Sequence, residues 1–288
     1  MALYRMMWLV INSHKPVIGV GATMLMSNGC LVEDGRVTEP VVSNQVFPMF
    51  QQLEYLRSFF IGKLGWSRIN ALPNISGGFG LFDTDIAVKS GGYDSMSMAE
   101  DVDLMLRMVT YMNNNGFEFQ LAQVPQVCCW TEGPSNLKSL TRQRIRWARG
   151  LFEIVTNHSL LFFNPSYGVI GGVTLPYIFI FEFLAPVLEF IGVIFLIYFI
   201  IMGGMNWKTS AIVFGMIYSF SVFITSFVIL SDNKSKAVNW KHKKLSYLKL
   251  FVASFLEPFM YHPIITYCSL VGYWRFISNK AAVWTPIQ

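Results

Sequence analysis

The pattern of apolar and polar positions along this chain changes character near residue 160. Before that point, short apolar runs are separated by polar and glycine-rich stretches. Leu3, Met6, Met7 and Val10 recur at helical spacing, and Val17–Met26 (VIGVGATMLM) is an unbroken run of small, β-branched and apolar residues that predicts a buried strand. Residues 47–64 carry the pattern of an amphipathic helix, and residues 74–82 read as a glycine-rich turn leading into a short strand. Residues 83–90 predict a short helix stopped by Gly91 and Gly92, and 100–112 a helix opening on an acidic pair, where carboxylates suit the free amides. Residues 119–127 predict a second long strand and 139–157 a long helix; strands alternating with helices predict an α/β layer.

After residue 160 the runs lengthen. Residues 183–202 and 211–230 are each long enough to cross a hydrocarbon core, which takes about 20 apolar residues. Residues 171–182 are apolar but contain Pro176 and Glu182, so they are expected at the membrane interface. Residues 245–274 are interrupted by Glu257, Pro258, His262 and Pro263, which predicts a re-entrant or interfacial segment. The expected organisation is an α/β domain over 1–160 and a membrane domain over 161–288.

Composition sharpens this picture. Charged residues make up 14% of the chain, against roughly a quarter in soluble domains. The net charge of +5 does not indicate nucleic acid, because the basic residues form no patch with interleaved aromatics. One cluster is Arg142, Arg144, Arg146 and Arg149. The other, Lys234, Lys236, Lys241, Lys243, Lys244 and Lys249, lies between two apolar segments, as cytoplasmic loops do. Cys30, Cys128, Cys129 and Cys268 have no metal-ligand spacing and are expected to be reduced. Arg5 interrupts the first apolar stretch and no small-residue cleavage site follows, so it is not a signal peptide; it reads as a domain entered partway through a helix. Gly19 and Gly21 suggest a dinucleotide loop, but position 24 is Met rather than the third glycine, and the strand reading prevails.

Three ordered features carry candidate chemistry: Ser76-Gly77-Gly78-Phe79-Gly80 with Gly91-Gly92-Tyr93-Asp94 after it; Ala99-Glu100-Asp101; and Gln143-Arg144-Ile145-Arg146-Trp147 on a helix leading toward the apolar half. The set resembles the family-two processive glycosyltransferases, the cellulose, chitin, hyaluronan and poly-N-acetylglucosamine synthases. In these a serine-glycine turn, a Thr-Glu-Asp-like motif and a Gln-x-x-Arg-Trp motif precede transmembrane helices. Ala99 stands where the family commonly has Thr. The resemblance implies the C-terminal, acceptor-side part of a GT-A-like domain. Asp101 would be the base that deprotonates the acceptor hydroxyl, with Glu100 shaping the acceptor site. A helix-terminal carboxylate is the plainer account of Asp101. Gln143, Arg146 and Trp147, at i, i+3 and i+4, share one helix face; Arg146 would face the departing diphosphate and Trp147 would be a platform for the acceptor sugar. Basic residues toward lipid headgroups and an interfacial Trp are the alternative, and Arg142, Arg144 and Arg149 are read that way. Trp130 falls near the family's acceptor channel or is a core residue. The resemblance would also place Gly77 and Gly78 in the acceptor and diphosphate site.

The resemblance also implies a nucleotide-sugar donor, UDP-linked, and Mg²⁺ or Mn²⁺ held by an upstream Asp-x-Asp motif outside this chain. Two substitutes occur, Asp83-Thr84-Asp85 and Asp101-Val102-Asp103. Helix capping accounts better for the first, and Asp103 lies on another helix face from Asp101. The expected function is an inverting polysaccharide synthase, multi-pass in the cell membrane with its soluble part cytoplasmic. It extends a glycan or lipid acceptor and does not turn over without a companion N-terminal half. Without that half, Val17–Met26 is expected to present an unpaired edge or a bare apolar face. The rival readings are a non-catalytic split-gene subunit or remnant, a non-processive transferase using a lipid-linked acceptor, and a small-molecule transporter, which the soluble α/β half disfavours.

Overall fold

A computed structural model describes residues 1–235 and 238–278, with the side chains of 233–235 also outside the description. In chain order the elements are α1 (Ala2–Ile11), β1 (Val17–Met26), β2 (Leu31–Glu33), β3 (Arg36–Glu39), α2 (Val46–Arg57), a π-helical turn (Ser58–Lys63) and α3 (Leu64–Arg68). They continue with β4 (Gly80–Phe82), α4 (Thr84–Lys89), α5 (Glu100–Asn114), β5 (Gln120–Thr131) and α6 (Leu137–Asn157). The helix expected over 47–64 is therefore present, but a π-turn reshapes its second half.

β1 is not an edge strand, contrary to the expectation. It lies at the centre of a three-stranded sheet of order β4-β1-β5, antiparallel to β4 and parallel to β5. All ten of its residues are buried. The reason is that the short strand expected after the serine-glycine turn, β4, folds back along Gly19 to Gly21, a pairing that the sequence pattern did not announce. The two glycines also gain an account here. The side chains of Ile75 and Gln123 occupy the space a Cβ would need at Gly19 and Gly21 respectively, so these positions serve close packing rather than a phosphate.

The globular core continues past residue 160. Leu104, Met105, Met108 and Val109 of α5 pack in one cluster with Leu161, Ile170, Leu175 and Ile178. A π-turn (Ile170–Thr174), α7 (Leu175–Ile178), a second π-turn (Phe179–Leu184) and α8 (Ala185–Ile201) follow without interruption. Residues 171–182, expected as a separate interfacial segment, thus form the first part of a 32-residue apolar helix, Ile170–Ile201. A Cβ at Gly171 would meet Leu161 O at 2.9 Å and would collide with Asn164 O, so the start of this helix is locked onto the domain.

α9 (Trp207–Ser235) contains the second apolar stretch, Trp207–Asp232. Among the described residues these two helices are long and apolar enough to cross a membrane. α10 (Lys243–Met260) and α11 (His262–Ile277) break at Tyr261, close to the prolines that predicted an interruption. They lie against the α/β domain: Arg57 of α2 pairs with Glu257 of α10, and α11 packs along α6. Their other faces expose Leu248, Phe255, Tyr267 and Trp274. Part of the basic cluster turns back onto the domain: Lys241 pairs with Glu39, and Lys249 Nζ donates to Asn44 Oδ1 at 2.6 Å. Lys236 and Lys280 lie outside the described residues, as does the side chain of Lys234.

Candidate active site

The serine-glycine turn runs from buried Ile75 toward β4 and crosses the N-terminus of α5. There the Gly77 amide donates to Asp101 Oδ2 at 2.6 Å. The other carboxylate oxygen, Oδ1, accepts from Val102 N at 2.9 Å. Asp101 is not the residue that caps α5: Ala99 holds that position and offers no side-chain acceptor. A carboxylate in the first turn of the helix accounts for the bond to Val102 but not for the reach to the glycine turn. A charged acceptor on a backbone amide is a strong contact, and it fixes the Asp101 carboxylate beside exposed backbone. Gly77 is needed for the approach, since a Cβ there would lie 3.2 Å from Asp101 Oδ2. Gly78 covers the Met24 side chain, whose Cε would be 2.6 Å from an added Cβ.

The adjoining wall is α6. Its Gly150 permits contact with the acidic motif: a Cβ there would be 3.0 Å from Ala99 Cβ and 3.4 Å from the Met98 carbonyl carbon. Three residues along, Glu153 accepts from Met98 N at 3.1 Å. These contacts hold the start of α5 against the helix bearing Gln143, Arg146 and Trp147. Between them is a cleft of about 650 Å³ whose walls include Glu100, Arg146, Arg149, Asp94 and Phe276. α6 is also gripped by α11, where a Cβ at Gly272 would meet Ile145 O at 2.8 Å and Ala148 Cβ at 2.7 Å. Gln143 Oε1 is buried and has no hydrogen-bond partner among the described residues. Trp147 is 38% exposed.

Arg144 departs from the lipid-facing role expected of it. It is buried, and its Nη1 and Nη2 donate to Glu54 Oε1 and Oε2 at 2.6 and 2.7 Å. The guanidinium faces the Trp147 ring at 4.4 Å from its centroid. The cause is helical phase: Arg144 points from α6 toward α2, where Glu54 supplies the counter-charge that a buried guanidinium requires. Burial would raise the Glu54 carboxyl, but Arg144 and the Tyr261 hydroxyl outweigh it and hold the group below its ordinary range. Arg142 is exposed, and Arg149 lines the cleft. Trp130, opposite Leu25 in the sheet, packs partly buried against the cluster of Leu25, Phe50 and Leu53.

Of the candidate metal carboxylates, Asp83 and Asp103 are committed elsewhere. Asp83 caps α4 by accepting from Ile86 N at 2.9 Å. Asp103 is paired with Arg107 at 2.7 Å and with His158 Nε2 at 2.8 Å. Arg107 also donates to Ser90 O and Gly92 O at 2.5 and 2.6 Å, holding the turn in which Gly91 and Gly92 adopt positive φ. Among the described residues no three His, Cys, Asp or Glu side chains converge. This donor set does not fit a divalent ion.

Sequence reading missed Lys63. It ends the π-turn and is only 6% exposed, with Nζ 4.6 Å from the Phe59 ring centroid. Burial pushes its ammonium down to about 8, while Asp101 and Glu182 pull it back toward the charged form. It is one lysine within the amphipathic pattern over 47–64, and nothing in that pattern singles it out. The π-turn that turns it inward left no signal in the pattern.

Residues 29–230 match the family model described as Glycosyl transferase family group 2. Poly-beta-1,6-N-acetyl-D-glucosamine synthase of Staphylococcus epidermidis is 27% identical over 124 residues, covering 42% of this chain and 29% of the relative. The Staphylococcus aureus synthase of the same name is 28% identical over 124 residues, with the same coverage of 42% and 29%. "Probable glycosyltransferase YdaM" of Bacillus subtilis is 31% identical over 103 residues, covering 36% of this chain and 22% of the relative. The chain therefore spans less than a third of the length of these relatives.

Proposed function

Because the chain belongs to glycosyl transferase family group 2, we propose that it supplies the acceptor side of an inverting sugar transferase of the polysaccharide-synthase type. The observation that carries this reading is the Asp101 carboxylate held by Gly77 N at 2.6 Å, beside a cleft that Glu100 and Arg146 line together. Asp101 accepts the proton of an acceptor hydroxyl. The resulting oxygen forms the bond to the anomeric carbon from the face opposite the leaving group, and the nucleotide diphosphate departs with the electron pair of the broken bond. Arg146 meets the departing charge with its fixed fork of donors. Gln143 Oε1, buried and without a partner among the described residues, accepts from a sugar hydroxyl, and Trp147 stacks under the acceptor ring.

The donor is a nucleotide sugar, UDP-linked, and the acceptor a growing glycan or a lipid-linked sugar. The names of the relatives make β-1,6-linked N-acetylglucosamine the first acceptor to try. Because the carboxylates here do not fit a metal, Mg²⁺ or Mn²⁺ and the nucleotide are bound by a donor segment outside this chain. The chain by itself then does not turn over. The complete enzyme is this chain together with that segment. Lys241 on Glu39 and Lys249 on Asn44 hold the basic loop on the side of the α/β domain, which supports a cytoplasmic placement for both.

The test is to reconstitute the complete enzyme in membranes, offer a panel of labelled nucleotide sugars and size the products. Elongated glycan of inverted configuration is expected from one donor. No transfer from any nucleotide sugar, with the fold intact, would overturn the proposal. Metal-dependent UDP-sugar binding by this chain alone in detergent would overturn the placement of the donor site.

A further inference from the structure

We propose that Arg144 is the positioning residue of the acceptor platform: it fixes the Trp147 ring, and is itself fixed by the seating of the α10–α11 pair on the domain. The proposal rests on the reading of Trp147 as that platform.

Three elements meet at the Arg144 guanidinium. From α2, Glu54 accepts through both carboxylate oxygens at 2.6 and 2.7 Å. From the break between α10 and α11, the Tyr261 hydroxyl accepts from Nη2 at 2.8 Å and donates to Glu54 Oε2 at 2.8 Å, closing a three-membered ring of hydrogen bonds. From α6 itself, Trp147 lies one turn from its neighbour's guanidinium, 4.4 Å from ring centroid to Cζ. A guanidinium is planar, so its edge can be forked by a carboxylate while its face meets an aromatic ring. Arg144 uses both at once.

The arrangement is rigid on one side and open on the other. Arg144 is 7% exposed and Tyr261 3%, whereas Trp147 is 38% exposed. Tyr261 is further fixed by Phe50, whose ring stacks on it at a centroid distance of 5.4 Å. The buried groups therefore define one face of the Trp147 indole and leave the remainder to a ligand. A lysine at position 144 keeps the charge but loses the fork and the flat face. Since Tyr261 belongs to helices whose outer faces are apolar, its hydroxyl links their seating to the acceptor platform.

The test uses the full chain in detergent, labelled with 5-fluorotryptophan, with the Trp147 resonance assigned from Trp147→Leu. In Arg144→Lys, and in Tyr261→Phe, which removes only an oxygen and keeps the Phe50 stack, the Trp147 resonance is expected to shift or broaden while the other tryptophans hold their positions. Affinity for a β-1,6-N-acetylglucosamine oligomer, by calorimetry, is expected to fall about tenfold in Trp147→Leu and severalfold in Arg144→Lys, in the range of an aromatic or cation–π contact. Combining the two is expected to cost no more than Trp147→Leu alone. An unmoved Trp147 resonance in both variants would overturn the proposal, as would full additivity in the double variant, while leaving the platform reading intact. A shifted resonance with unaltered oligomer affinity in Trp147→Leu would overturn the platform reading instead, and with it the functional role of Arg144.

Discussion

Replacing Lys63 with Met should make the protein more stable and a poorer enzyme. Lys63 is 6% exposed, and burial lowers its ammonium from 10.5 to about 8 even though Asp101 and Glu182 favour the charged form. A fall of that size corresponds to about 3 kcal/mol of cost for keeping the charge in the folded state at neutral pH. Met fills similar volume beside Phe59 without that cost. The sign follows from linkage. With the folded value below the unfolded one, the unfavourable contribution is fully present below about pH 8. It is relieved as pH rises toward 10.5, because over that window the unfolded chain binds more protons. Thermal unfolding of wild type and Lys63→Met in the same detergent, from pH 6 to pH 10, should therefore show the variant ahead by several degrees at neutral pH. The gap should narrow above pH 8. Transfer by the complete enzyme should fall in the variant, because a buried positive charge that interacts with Asp101 is lost. A variant less stable than wild type at pH 7, or a gap that does not change with pH, would refute the reasoning.

Two other substitutions probe the frame around the site. Gly77→Ala places a Cβ 3.2 Å from Asp101 Oδ2 without entering the positive-φ region, so folding should be nearly unaffected. The carboxylate must give by a few tenths of an ångström, and the transfer rate should drop about tenfold, less than the hundredfold of a full ångström; an unchanged rate would separate this contact from catalysis. Gly272→Leu drives a side chain into Ile145 O and Ala148 Cβ, so α11 must lift from α6 at a cost of about 1–3 kcal/mol. Limited proteolysis should then cut near Tyr261 sooner than in wild type, and equal protection would contradict the close packing.

Long-period information was legible in the sequence and short pairings were not. The buried run Val17–Met26, the amphipathic α6 and the second apolar stretch each repeat a pattern over many residues and were found close to their observed limits, whereas the first apolar stretch begins at Ile170, well before its expected start. β4 spans only Gly80–Phe82, too few residues to show a period, so the short strand was legible from its glycine turn but the pairing that makes β1 central was not. The same holds for inward charge. Arg144 and Arg142 look alike in sequence, and only helical phase against Glu54 buries one and exposes the other. The site was legible as far as its motifs: Asp101 meets Gly77, and Glu100 and Arg146 share a cleft. Lys63 was not, because a π-turn changes the phase of a helix without altering its composition.

The central claim is that Asp101 takes the acceptor proton, and Asp101→Asn tests it most directly. Asn retains a side-chain oxygen to accept from Gly77 N, so the turn and α5 should stay in place while the basic carboxylate is lost. The measurement is transfer rate and nucleotide-sugar affinity, taken on the same preparation of the complete enzyme. Transfer should fall about 10²- to 10⁴-fold, the usual contribution of a general base, with donor affinity unchanged. Transfer at the wild-type rate would reduce Asp101 to a residue that joins the glycine turn to α5.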